Sequence, residues 1–312
     1  MTNLSSTSAT YQLTDKNVVI FATKAQSQQI LSTADSFTRN MTSFDRSVRL
    51  KSDRTLSSEE FLRFAGSCAL DWSPGEVTFI TASLNDLKAG LSRYSQLLPA
   101  EILFIKTTGN EEFKSAYTRQ NAIILPPNKL DRPRDRMALL IAHELFHIIS
   151  RHDHVLRESL YSAIGFQPCG KIKMPSLLKD RILKNPDTPD TDYYVCLSHQ
   201  GKPFYGVPLF SFKDGRCDIQ HGEAILQYLE VNYLAVEPVE GGWQPLEIDG
   251  RPVLIHQREA LGLAEQAGRN TNYDICADEI LAENFVLLVS GKLDVPSPEI
   301  LEKIGVLLRS YS

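Results

Sequence analysis

Apolar positions follow two rhythms along this chain, spacings of three and four in some stretches and alternation or short continuous runs in others. The run VVIFA at 18–22 predicts a buried strand, and the surrounding residues to about 70 are mostly helical in pattern. SSEEFLRFAGSCAL opens with Ser57 and Ser58, carries acids in its first turn and then spaces its apolar residues by three and four, which predicts a capped helix. GEVTFIT (75–81), rich in β-branched residues, predicts a strand, and NDLKAGLSRYSQLL (85–98) a helix. EILFIKT (101–107) and NAIILPP (121–127) predict two more strands, the second stopped by its prolines. A helix follows at about 132–151.

From about 170 to 256 the character changes. DYYVCLSH, FYGVPLFSF, NYLAVEP and RPVLIHQ are short strand-like runs separated by Gly and Pro, with one helix-like piece, GEAILQYLEV, between them. The chain ends helically in ADEILAENFVLLVSG (277–291) and SPEILEKIGVLLRS. The expected organisation is a flexible tail over 1–16, a sheet with helices over 17–155, a β-rich insert or second lobe over 156–270, and C-terminal helices over 271–312. That is an α+β fold.

Composition narrows the functions. With 312 residues, 42% hydrophobic and 23% charged, the chain buries a substantial core. A net charge of −5 opposes nucleic acid or anionic lipid as the main partner. The densest basic cluster, Lys129 to Arg136, interleaves two aspartates and a proline, so it reads as a solvated loop. No apolar run is long enough to span a bilayer, and the N-terminus lacks a secretory pattern. Five widely spaced cysteines without a CxxC pair suit free thiols in a cytoplasmic protein.

The chemistry is concentrated in LLIAHELFHIISRHD at 139–153. On a helix, His143 and His147 lie one turn apart on one face and can both present a ring nitrogen to one metal ion. Glu144, rotated by one residue, lies beside such an ion, where it can take a proton from activated water. The helix is otherwise apolar nearly all round, so three polar groups inside it need compensation, and a metal ion supplies it.

Two histidines leave a third ligand to find. Asp153 stands ten residues after His143, but Ser150 occupies the position where a chain-reversing glycine is required, so the helix is expected to run on and carry Asp153 away. His154 shares the helical face but lies about 16 Å along the axis. Glu279, in the stretch CADEILAENF, pairs with Glu283 at i,i+4 on an apolar helix and is the third candidate.

HELFH at 143–147 and DEILAENF at 278–285 together resemble the gluzincin branch of the zincin metallopeptidases, and NAIILPP looks like the edge strand that precedes their active-site helix. The resemblance implies a small mixed sheet packed on an active-site helix. It also implies one Zn2+ per chain held by His143, His147 and Glu279, with Glu144 as general base and Glu283 fixing a histidine tautomer. Two departures stand out: 132 positions separate His147 from Glu279, so the β-rich segment is an insertion, and Glu283 replaces the more usual aspartate.

Such a reaction needs a donor for the developing oxyanion, and Tyr273, six residues before Glu279, is the first choice over Tyr194 and His199. Cys276 reads as a small buried residue at a helix start, and Asn185-Pro186-Asp187 as turn chemistry. An exposed NAIILPP edge would pair with an extended peptide. The expected function is a zinc metallopeptidase acting on a peptide or protein substrate. The rivals are a zincin-like regulatory or binding module and a metal-dependent amide hydrolase on non-peptide substrates.

Overall fold

The computed structural model describes residues 8–188, 190, 192–212, 228–273 and 276–311. Strands β1 (Ala9–Gln12), β2 (Val18–Phe21), β3 (Ala69–Leu70), β4 (Glu101–Thr107), β5 (Tyr117–Arg119) and β6 (Ala122–Leu125) form the first sheet. Helices α1 (Lys24–Leu31), α2 (Ser36–Asn40), α3 (Ser43–Leu50), α4 (Ser58–Ser67) and α5 (Pro74–Leu91) intervene, and α6 (Pro127–Leu130), α7 (Arg134–His152) and α8 (His154–Ala163) follow. The second sheet contains β7 (Phe166–Pro168), β8 (Ile182–Leu183), β9 (Tyr193–His199), β10 (Lys202–Phe212), β11 (Leu229–Val239) and β12 (Gly242–Pro245). A small ribbon of β13 (Glu247–Ile248) and β14 (Arg251–Pro252) precedes β15 (Leu254–His256), which pairs with β11. Helices α9 (Leu263–Ala267), α10 (Ala277–Ser290) and α11 (Pro298–Ser310) end the chain. The fold is mixed α+β, and among the described residues no helix is long and apolar enough to cross a membrane.

The first sheet runs β1-β2-β4-β6-β5, with β2, β4 and β6 parallel and both outer strands antiparallel. Three sequence expectations change here. NAIILPP is not the edge: β6 lies between β4 and β5, and all four of its residues are buried. The true edge, β5, has its Thr118 amide bonded to the Asp187 carboxylate at 2.8 Å, so that amide is engaged rather than open to a peptide. GEVTFIT is helical, because Ser73 and Glu76 form a reciprocal cap with Pro74 at the first turn. Ile80, Leu84, Leu87 and Leu91 then bury one face, and that periodicity overrides the local β-branched preference. The expected tail is also shorter, since Ala9–Gln12 pairs with β2 while residues 1–7 lie outside the described residues. The helix-like GEAILQYLEV falls mostly outside them too, and its last three residues belong to β11.

One core joins the layers. Ile102, Phe104 and Ile123 from the first sheet pack with Ile141, Leu145 and Phe146 of α7, Leu281 and Phe285 of α10, and Ile304 of α11. Val195, Leu197 and Tyr233 bring the second sheet into the same cluster, so the β-rich segment is continuous with the helical core.

A buried ionic knot fixes the second joint. Arg49 bonds Glu112 through two nitrogens at 2.7 Å, pairs with Asp45 and donates to the Lys184 carbonyl at 2.7 Å. Removing one partner of such a knot leaves uncompensated buried charge. Arg49→Ala is therefore expected to destabilise the protein by about 3–5 kcal/mol. Urea unfolding measures this, and an unchanged midpoint would show that the knot carries no stability.

Candidate metal centre

The apolar periodicity of α7 buries Met137, Ile141, Leu145 and Ile148, which turns His143 and His147 toward α10. Helix α10 begins just after Cys276 and presents Asp278, Glu279 and Glu283 from its first two turns, with Asp278 and Glu279 buried. The two helices interlock through these side chains. His143 Nδ1 lies 2.9 Å from Glu283 Oε1, and His147 Nδ1 lies 2.6 Å from Asp278 Oδ2. Each carboxylate orients its ring so that Nε2 faces inward.

Both inward nitrogens approach one oxygen. Glu279 Oε2 is 3.1 Å from His143 Nε2 and 3.8 Å from His147 Nε2. Donors around a tetrahedral zinc stand about 3.3 Å apart, given bonds of about 2.0–2.1 Å, so the two distances bracket the spacing an ion requires. His147 Nε2 is buried with no hydrogen-bond partner. A buried polar atom left alone is costly, and a cation between these three donors satisfies it. His143, His147 and Glu279 thus offer two nitrogens and one oxygen that could hold a metal ion.

Electrostatics point the same way. Burial disfavours charge on His143, but its bonds to Glu279 and Glu283 hold its pKa well above the ordinary range. Burial likewise opposes protonation of His147, yet Asp187, Asp278 and Glu279 raise its pKa to about 9. For Glu279, burial is outweighed by the His143 bond and the two histidine charges, and its pKa falls to about 2. Glu144 is also buried, with Oε2 unpartnered. Burial and the charge of Asp187 raise its pKa to about 7 against the pull of the two histidines.

Of the remaining predicted residues, Tyr273 is half-exposed, its ring centroid 6.4 Å from that of His143, and partial desolvation with the charge of Glu279 pushes its hydroxyl pKa up. Tyr194 packs on Trp243 and His199 pairs with Glu259 at 3.3 Å, and neither lines the cleft. Helix α7 does not run on as expected. It stops at His152, and Asp153 turns to cap α8 by accepting from the amides of Val155 and Leu156. His154 bonds Arg157, so neither residue reaches the centre. Cys276 is buried beside Thr188, and burial pushes its thiol pKa up, which suits packing and not redox chemistry.

Sequence reasoning missed three participants. Asp278 also accepts from Ser150 and from Tyr161 at 3.0 Å, and the buried Ser150, three residues after His147, was its available signal. Asn185 donates to Glu279 Oε1 at 2.9 Å, which leaves Oε2 for the histidines. Asp187 stands within metal-ligand reach of Glu144 and His147. The Asn185-Pro186-Asp187 segment is a turn, with the Asp187 amide on Asn185 Oδ1 at 3.0 Å, but its side chains belong to the centre.

The centre opens into a cleft of about 680 Å³ lined by α7, α10, the β5 edge and residues of β10 and β11. Compared with protein-family models, curated protein sequences and solved structures, the chain matches none.

Two outcomes follow for metal binding. Zinc must displace protons held on the histidines, so its affinity is expected to keep rising with pH up to about 9, the raised value for His147. Calorimetry in buffers of different ionisation enthalpy reads both the affinity and the protons released. A plateau near pH 7 would mean that ordinary, unpaired histidines bind. Asp278→Asn is expected to weaken zinc binding by about 10–100-fold with the fold intact, as loss of an orienting partner does. A chelator competition measures it, and unchanged affinity would remove Asp278 from the centre.

Proposed function

We propose that this chain is a zinc-dependent metallopeptidase with gluzincin-type ligation by His143, His147 and Glu279. The observation that carries the reading is the convergence of both Nε2 atoms on Glu279 Oε2, beside the unpartnered Oε2 of Glu144. A parallel sheet with an antiparallel outer strand ahead of the histidine-bearing helix supports a zincin-like fold. The described cysteines, all unpaired, agree with a cytoplasmic setting.

When bound, zinc supplies a Lewis acid that polarises the scissile carbonyl and makes water acidic enough to deprotonate near neutral pH. Glu144, with its pKa near 7, accepts the proton from the attacking water and returns it to the leaving amine. Asp278 and Glu283 hold the two histidine tautomers, and Asn185 holds Glu279. Tyr273, protonated beside His143 at the cleft, donates to the oxyanion as the carbonyl becomes tetrahedral. With the Thr118 amide engaged by Asp187, the peptide lies along the cleft between α7 and the second sheet.

The test pairs two variants. Glu279→Ala is expected to lose bound zinc in elemental analysis, whereas Glu144→Gln keeps it and loses peptide turnover by about 10²–10⁴-fold. A Glu144→Gln protein that retains both zinc and full biological effect would favour the regulatory or binding module instead.

A further inference from the structure

Lys129 to Arg136 reads as a solvated loop in the sequence; the stretch is largely exposed, with Lys129 in α6, Arg132 in the turn between the helices and Arg136 in the first turn of α7. Lys129, Arg132 and Arg136 line the same cleft as His143 and Glu144. Arg136, Leu140 and His143 stand at i, i+4 and i+7, a single stripe of α7. At the rise of an α-helix, Arg136 is about 10 Å along the axis from His143. An extended peptide covers that distance in about three residues.

These cations differ from the other arginines around them. Arg49, Arg119 and Arg134 each meet a carboxylate. Arg132 has its Nε buried with no hydrogen-bond partner. Lys129 is half-buried, and burial together with the charge of Arg132 lowers its pKa, opposed only by Glu144. The nearest acid to Arg136 is its own neighbour Asp135, at 3.9 Å. Among the six acids that line the cleft, Glu112 is held by Arg49, Glu279 and Glu283 belong to the histidine site, Asp187 accepts from Thr118, Glu144 stands beside the histidines and acts on Lys129, and Glu230 sits on β11 of the second sheet. Three like charges gathered on one wall of a cleft repel each other, and an incoming anion relieves that repulsion.

We propose that Lys129, Arg132 and Arg136 form an anion subsite that receives a carboxylate of the substrate, two to three residues from the bond to be cleaved. The inference rests on the metallopeptidase reading and names its substrate class, peptides with an anionic group at that distance. A C-terminal carboxylate and an Asp or Glu side chain both supply the chemistry. Leu139, Leu140 and Val286 line the cleft as well and give apolar contact to the residues between.

The experiment measures binding to the zinc-loaded protein by calorimetry, using tripeptides with an N-terminal hydroxamate that anchors them at the metal. One pair is Gly-Gly-Gly as free acid and as amide, and the other is amidated Gly-Gly-Glu and Gly-Gly-Gln. At least one acidic member is expected to bind on the order of tenfold more tightly than its neutral partner, with the advantage shrinking as salt rises. The pair that shows the larger ratio identifies the source of the carboxylate. Arg132→Gln and Lys129→Gln should abolish the ratio while Arg132→Lys retains most of it, which separates charge recognition from misfolding. Equal binding of acid and neutral forms, or a ratio that survives both glutamine variants, overturns the subsite. Failure of every hydroxamate to bind would overturn the metal centre first and the subsite with it.

Discussion

The structure turns on how two apolar helices carry a charged cluster through their shared interface. Helices α7 and α10 pack inside the main core, yet His143, His147, Asp278 and Glu279 meet between them. Buried charges of this kind are tolerated only when each has a partner at hydrogen-bond distance. The pairing is register-specific: a slide of one helical turn, about 5.4 Å, would break the His147–Asp278 and His143–Glu283 bonds. Ser150, Tyr161 and Asn185 complete the set by donating to the second oxygens of Asp278 and Glu279, which the imidazoles leave free.

That interface explains the remote parts of the chain. The segment 184–187 connects the ionic knot to the centre, with the Lys184 carbonyl on Arg49, Asn185 on Glu279 and Asp187 on Thr118. Arg49 therefore does more than neutralise two buried acids. It anchors the backbone that positions Asn185, and through it the orientation of the Glu279 carboxylate. The β-rich segment contributes working side chains to the centre as well as a wall to the cleft.

What the sequence makes legible is local. HELFH and EILAE announce themselves because helical spacing places their side chains on one face, and three-residue and four-residue periods survive in the linear text. GEVTFIT misleads because its β-branched residues are visible, whereas the winning term is a cap at Ser73 and an apolar stripe extending to Leu91. The position of NAIILPP inside the sheet depends on the strand order, which alternation cannot encode. Asn185 and Asp187 join the centre from far along the chain, and the charges of 129–136 gain meaning only when the second sheet closes the cleft. Asp278 stood next to a residue already singled out, and its role depended on which side of α10 met Ser150 and Tyr161.

X-ray absorption at the zinc edge of the metal-loaded protein tests most directly whether two imidazoles and one carboxylate hold a zinc ion. Nitrogen and oxygen neighbours only are expected, at about 2.0–2.2 Å, with the imidazole scattering pattern of two histidines. Sulfur neighbours at about 2.3 Å, or a zinc surrounded by oxygen alone, would contradict that ligation.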